Sequence, residues 1–162
     1  MVTVAIIAIL VAVAVPMFSK ESRKSKASSE VGAIMSELAV REEQYKSENG
    51  VYLSTTACPP APVTQGTSVA SLQTGSGCLV STGTWVSTLR VQLDVSTLYC
   101  SYVVTAGAGT GTTNPSGFTF TSPSVGWFYI VATCDQDGVA ATNSTYFTSS
   151  IDATLQKQNE GR

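Results

Sequence analysis

Four cysteines, Cys58, Cys78, Cys100 and Cys134, and two closely spaced carboxylates, Asp135 and Asp137, are the residues of this 162-residue chain whose types and spacing could do chemistry. None of the cysteines forms the Cys-x-x-Cys pair of a zinc or redox site. The chain has no histidine, which removes the commonest transition-metal ligand and general base together. An even number of scattered cysteines behind an apolar N-terminus reads as two disulfides closed in an oxidising compartment, with four buried thiols as the alternative. Of the three pairings open to four cysteines, Cys58 with Cys78 and Cys100 with Cys134 are expected. The first brackets a Pro- and Gly-rich stretch with little apolar material to order it, and the second joins two segments patterned as strands.

Asp135-Gln136-Asp137-Gly138 has the flavour of a calcium loop, since neighbouring carboxylates in a turn supply oxygen ligands. An EF-hand would need further oxygens and a distal Glu that do not follow, and a tight turn between strands explains the same residues. A Ser or Thr nucleophile without histidine would need a lysine base, and Lys157, close to the C-terminus, is the one lysine after residue 52. No catalytic site, cofactor or resident metal is expected, and the reading is not that of an enzyme. A formal net charge of −2 gives no basic field for nucleic acid.

The elements that must carry these residues divide the chain at about residue 52. Most charged residues lie within 20–48, whereas 49–162 is dominated by Thr, Ser, Gly, Ala and Val. Residues 1–18 carry no charge and would make roughly 27 Å of helix, slightly under the ~30 Å hydrocarbon thickness of a bilayer. A cleaved signal peptide would show a basic start and a small-residue cleavage site, which are not evident here; an ordinary membrane anchor is the other alternative. Helical patterning then continues without a linker from about 20 to 46. Ala27, Val31, Ile34, Leu38 and Tyr45 recur at three-, four- and seven-residue spacings, which marks one face for packing. The periodic stretch, about four heptads of irregular register, is short for a free coiled coil. Glu37 with Arg41 and Glu42 with Lys46 are expected as exposed i,i+4 pairs, and Asn49-Gly50 as the stop.

The N-terminal string MVTVAIIAILVAVAVPMF at 1–18, with Pro16 and Phe18 at its end, resembles the N-terminal helix of bacterial type IV pilins and type II secretion pseudopilins. YKSENGVY at 45–52 is similar to the segment with which many of those proteins leave that helix. Together the two stretches cover about a third of the chain. The resemblance begins inside the family's motif, so the processing glycine, the methylated phenylalanine and the glutamate after it are expected upstream of Met1. Ala8 stands where many members have glycine. The resemblance implies a membrane and filament-core helix carried by Val2, Val4, Ile6, Ile7, Ile9, Leu10, Val13, Pro16 and Phe18. It also implies that the chain is stored in the bacterial inner membrane, surrounded by lipid, before it joins an extracellular filament. Its partners would be identical or related pilin subunits and an inner-membrane assembly platform driven by a cytoplasmic ATPase motor. Lys20, Arg23, Lys24 and Lys26 after the span would sit in the cytoplasm by the positive-inside rule. The cysteines and the resemblance point the other way.

Beyond the helix, 53–84 reads as an irregular loop rich in Pro, Gly, Ser and Thr. Trp85, Leu89, Val91, Leu93 and Val95 read as one face of a strand, and 98–104, 118–121, 126–133 and 145–151 as further short strands. Residues 105–117 read as a mobile low-complexity loop; without a Gly-Lys-Ser/Thr ending it is not a phosphate loop. The expected architecture is therefore α+β, with a helical region at 1–52 and a disulfide-bonded head at 53–162. The C-terminal half of the helix would pack on an antiparallel sheet of about four strands. The expected function is a structural subunit of a type IV pilus-like filament, with a secretion pseudopilin as one alternative. A tip or adhesin subunit, with Trp127, Phe128 and Tyr129 meeting a ligand, is the other; a buried strand is the ordinary explanation of those aromatics.

Overall fold

The computed structural model describes the backbone of residues 2–159 and the side chains of 21–159. A single helix, α1 (Val2–Asn49), is followed by a β-rich region. Gly50 ends the helix in the left-handed conformation at φ 78°, and its N–H donates to the Lys46 carbonyl at 2.7 Å. That geometry strains a side-chain-bearing residue, and Gly adopts it without penalty.

Short elements fill the next stretch: β1 (Thr67–Ser68), the one-turn helix α2 (Val69–Leu72), and β2 (Thr97–Leu98), which pairs with β1. The main sheet is built from β3 (Cys100–Ala108), β6 (Gly126–Cys134), β7 (Ser144–Ser149) and β8 (Gln156–Gln158), in that spatial order and antiparallel throughout. Between β3 and β6, a small hairpin of β4 (Gly111–Thr113) and β5 (Phe120–Ser122) folds out separately. The protein is thus α+β with antiparallel sheets.

Period-two alternation assigns the two faces of the sheet. Cys100, Tyr102 and Val104 on β3, Phe128, Ile130, Ala132 and Cys134 on β6, and Tyr146 on β7 join Ala27, Val31, Ile34, Met35 and Leu38 of α1 in one core. Val131 and Phe147, opposite each other across β6 and β7, lie on the other face and are covered by Phe118 and Phe120. The 115–122 segment therefore gives the sheet a second, smaller apolar layer.

Several expectations need correction. Residues 85–95 form no strand: a wide helical turn at Thr84–Thr88 buries Trp85, Leu89 bonds back to the Thr84 carbonyl at 2.9 Å, and Arg90 turns the chain at φ 55°. Strict alternation already fails at Ser87, and the four-residue step from Trp85 to Leu89 is a helical spacing. The 53–84 stretch is not wholly irregular. Thr55 and Cys58 run along the outer edge of β3, with Thr55 N–H on the Val104 carbonyl at 2.9 Å and Cys58 exchanging bonds with Tyr102 at 2.8 and 3.0 Å. Most of 105–117 is ordered as the end of β3 and as β4, because Trp127 roofs Gly107 directly across the ladder. The short edge strand β8 has too little apolar content to be read from sequence.

Candidate functional site on the long helix

The described half of α1 has one face against the sheet and the other free. Ala27, Val31, Ile34 and Leu38 are buried, Tyr45 is half-buried at the rim of the same core, and Met35 completes the stripe. Burying the Val31, Ile34, Met35 and Leu38 side chains stabilises by about 1.5–3 kcal/mol each, which ties the helix to the sheet. The apolar residues named for the membrane and filament core, Val2, Val4, Ile6, Ile7, Ile9, Leu10, Val13, Pro16 and Phe18, lie outside the described side chains. Among the described residues no helix is long and apolar enough to cross a membrane.

Two carboxylates enter this interface unforeseen. Glu30 accepts from the N–H groups of Tyr99 at 2.8 Å and Cys100 at 3.2 Å, and from the Tyr102 hydroxyl at 2.7 Å. Its oxygens thereby satisfy donors at the start of the edge strand β3, where no neighbouring strand can. Burial raises the Glu30 carboxyl above its ordinary range, against the pull of those three hydrogen bonds, and burial also raises the Tyr102 phenol. Glu42 is fully buried; Oε2 accepts from Leu53 N–H at 2.9 Å, while Oε1 has no hydrogen-bond partner. Desolvation pushes its carboxyl up to about 7, with the adjacent Glu43 charge adding to the rise and the Leu53 bond opposing it. The spacing did hold a signal: Glu30 stands four before Ile34, and Glu42 four after Leu38, both on the apolar stripe.

Glu42 is consequently not the exposed partner of Lys46. The Lys46 ammonium instead donates to the Tyr52 hydroxyl at 3.0 Å, and that hydroxyl donates to Glu43 at 2.7 Å. The Tyr52 ring meets Phe128 edge-on at 4.9 Å between centroids. This clamp fixes the exit of α1 onto the sheet. Glu37 and Arg41 do pair, at 2.7 Å.

The disulfides are Cys58–Cys78 and Cys100–Cys134. Cys100 and Cys134 are direct partners across the β3–β6 ladder, with Cα atoms 4.2 Å apart. Cys58–Cys78 closes the loop that runs beside β3. Asp135 and Asp137 both bond within a turn: Asp135 accepts from Gly138 N–H at 2.6 Å, and Asp137 from Val139 N–H at 2.9 Å and the Thr142 hydroxyl at 2.8 Å. No group of three or more potential metal ligands converges among the described residues. Of the three aromatics weighed for ligand contact, Phe128 is in the main core, while Trp127 and Tyr129 are half-buried against Phe120 on the opposite face. Trp127 is further held by its indole N–H on the Gly109 carbonyl at 3.0 Å.

Between α1 and residues 148–155 lies a groove of about 170 Å³, lined by Gly32, Met35, Ala39 and Leu155 with Ser and Thr hydroxyls as its polar groups. It contains no acid, base or charged nucleophile. The described residues thus present one continuous helix whose C-terminal half is fastened to a disulfide-bonded, β-rich body. Comparisons of the chain with protein-family models, with curated proteins and with solved structures find no match.

Proposed function

We propose that this protein is a structural subunit of a type IV pilus-like extracellular filament, of the type IV pilin and pseudopilin kind. The observation that carries the reading is the unbroken course of α1 from Val2 to Asn49, which makes the uncharged apolar 1–18 segment and the sheet-packed half one rod. A flexible tether would let a head wander. A rigid rod instead fixes the head relative to the apolar segment, as a regular lattice of subunits requires.

Before assembly the apolar segment rests in lipid, and afterwards neighbouring copies replace that lipid. Because both surroundings are apolar, no large hydrophobic driving force separates the two states. Extraction therefore calls for external work, supplied by an inner-membrane platform and its ATPase motor. The two disulfides suit a head that stands outside the reducing cytoplasm.

Antibodies raised against residues 53–162 test the reading directly by immunogold microscopy of filaments sheared from the source bacterium. Regular labelling along the filament shafts is expected. Label confined to cell bodies, with bare filaments, would contradict it, and label restricted to filament ends would transfer the assignment to a tip subunit.

A further inference from the structure

We propose that residues 20–26 of α1 form a basic collar that binds the phosphate headgroups of anionic phospholipids and holds the subunit at the membrane surface before assembly; this rests on the filament-subunit reading above. Lys20, Arg23, Lys24 and Lys26 place four of the chain's nine basic residues within seven positions, opposed only by Glu21. The collar is thus +3 in a chain whose formal net charge is −2, and everything outside it sums to −5.

Position along the rod matters as much as sign. The helix runs without interruption from the apolar 1–18 segment through the collar. At about 1.5 Å per residue, the collar begins roughly 3 Å past Phe18 and ends roughly 12 Å past it. A headgroup layer is about 5–8 Å deep on each side of the hydrocarbon, so the basic residues fall within reach of its phosphates. Long Lys and Arg stems reach such a layer while their own apolar carbons stay low.

The collar is also free to bind. Arg23 and Lys26 are exposed and Lys24 is half-exposed. Among the described residues no carboxylate lies within ion-pair distance of those three side chains. By helical spacing, positions 20 and 24 continue toward the N-terminus the stripe that Ala27 and Val31 bury against the sheet. The head ends there, and the same stripe passes from apolar to basic where protein cover stops. Ser22, Ser25, Ser28 and Ser29 populate the remaining positions. Anionic headgroups are the partner whose charge and depth match this band.

The test uses the full chain carrying Ser25→Cys, the native cysteines being closed as disulfides. With bimane on the new thiol, the protein is reconstituted into phosphatidylcholine vesicles containing one-third phosphatidylglycerol. Trace headgroup-spin-labelled phosphatidylglycerol or phosphatidylcholine then reports which lipid gathers beside the collar. At about five-fold per basic residue near an anionic surface, the phosphatidylglycerol probe is expected to quench several-fold more strongly at 50 mM salt. The preference should fall to parity in Arg23→Gln/Lys24→Gln/Lys26→Gln and in 1 M salt, where the screening length shrinks to about 3 Å. Equal quenching by both lipids in the unaltered collar, or a preference that survives the triple substitution, would overturn the inference and leave the filament reading standing. No quenching by either lipid would overturn both. A triple variant that keeps its lipid preference yet fails to enter filaments would assign the collar to contacts between copies and also overturn it.

Discussion

The Tyr102 hydroxyl donates to Glu30 at 2.7 Å although the two residues are 72 positions apart in sequence. One carboxylate of the helix thus anchors a strand at its side chain and at two backbone N–H groups. Replacing Glu30 with Ala leaves three buried or part-buried donors unpaired, each costing about 1–3 kcal/mol. Even allowing for relief of the desolvated charge, a loss on the order of 3 kcal/mol is expected in urea unfolding of the chain. Glu30→Gln, which retains an acceptor, should lose clearly less. Equal losses in the two variants would show that the hydrogen bonds are not what Glu30 contributes.

Glu42 makes stability depend on pH in a direction opposite to that of an ion-paired carboxylate. Its folded-state value of about 7 stands above the ordinary 4.5. The folded state therefore holds the extra proton between those values, and stability falls as pH rises from about 4.5 to about 7, then levels off. Glu30, also raised, contributes with the same sign. Melting temperatures measured between pH 4.5 and 8 should decline across that window. The decline should be shallower in Glu42→Gln, with the variant gaining on the parent at pH 8. A parent that becomes more stable across the window would contradict the assignment.

Removing either disulfide should act where its loop lies. With separations of 20 and 34 residues, chain-entropy estimates give about 3 and about 4 kcal/mol respectively. Cys100→Ser/Cys134→Ser should lower global stability, whereas Cys58→Ser/Cys78→Ser should chiefly speed hydrogen exchange in 55–84. Uniform loss of protection from the second pair would show that the loop and sheet unfold as one unit.

Gly107 lies across the ladder from Trp127, and a Cβ placed there would be 2.6 Å from the indole. Gly107→Val must push the ring off the strand, which should cost about 1–3 kcal/mol as overpacking. The displaced indole should red-shift Trp emission relative to a Trp127→Phe control. Unchanged emission and stability would mean that the ring does not lie over the glycine in solution.

What was legible in the sequence was local. The three- and four-residue spacing of Ala27, Val31, Ile34 and Leu38 marks a helix face, and the left-handed turn at Gly50 follows from Asn49-Gly50. Short β-type runs between turn residues mark β3, β6 and β7, whereas the apparent alternation over 85–95 marks no strand; the cysteine pairing follows from which segments need tying. Non-local chemistry was not legible. A glutamate on an apolar stripe looks like a surface residue until the groups that need its oxygens are known: for Glu30 the start of β3, for Glu42 the Leu53 N–H just past the helix. Trp85 looks like part of a strand because its fixing contact, the indole N–H on the Thr56 carbonyl at 3.2 Å, spans 29 residues.

The most direct test of the filament reading is the abundance of this chain in sheared filaments from cells expressing the parent or Ile7→Asp. A carboxylate in the apolar segment costs about 2.5–3.5 kcal/mol on insertion scales and has no partner in that segment. The account predicts parent chain throughout the filament fraction, and Ile7→Asp absent from it while peptide mapping still recovers Cys58–Cys78 and Cys100–Cys134 from the cell-associated protein. Ile7→Asp present in filaments at the parent's level, or a parent chain missing from them, would contradict it.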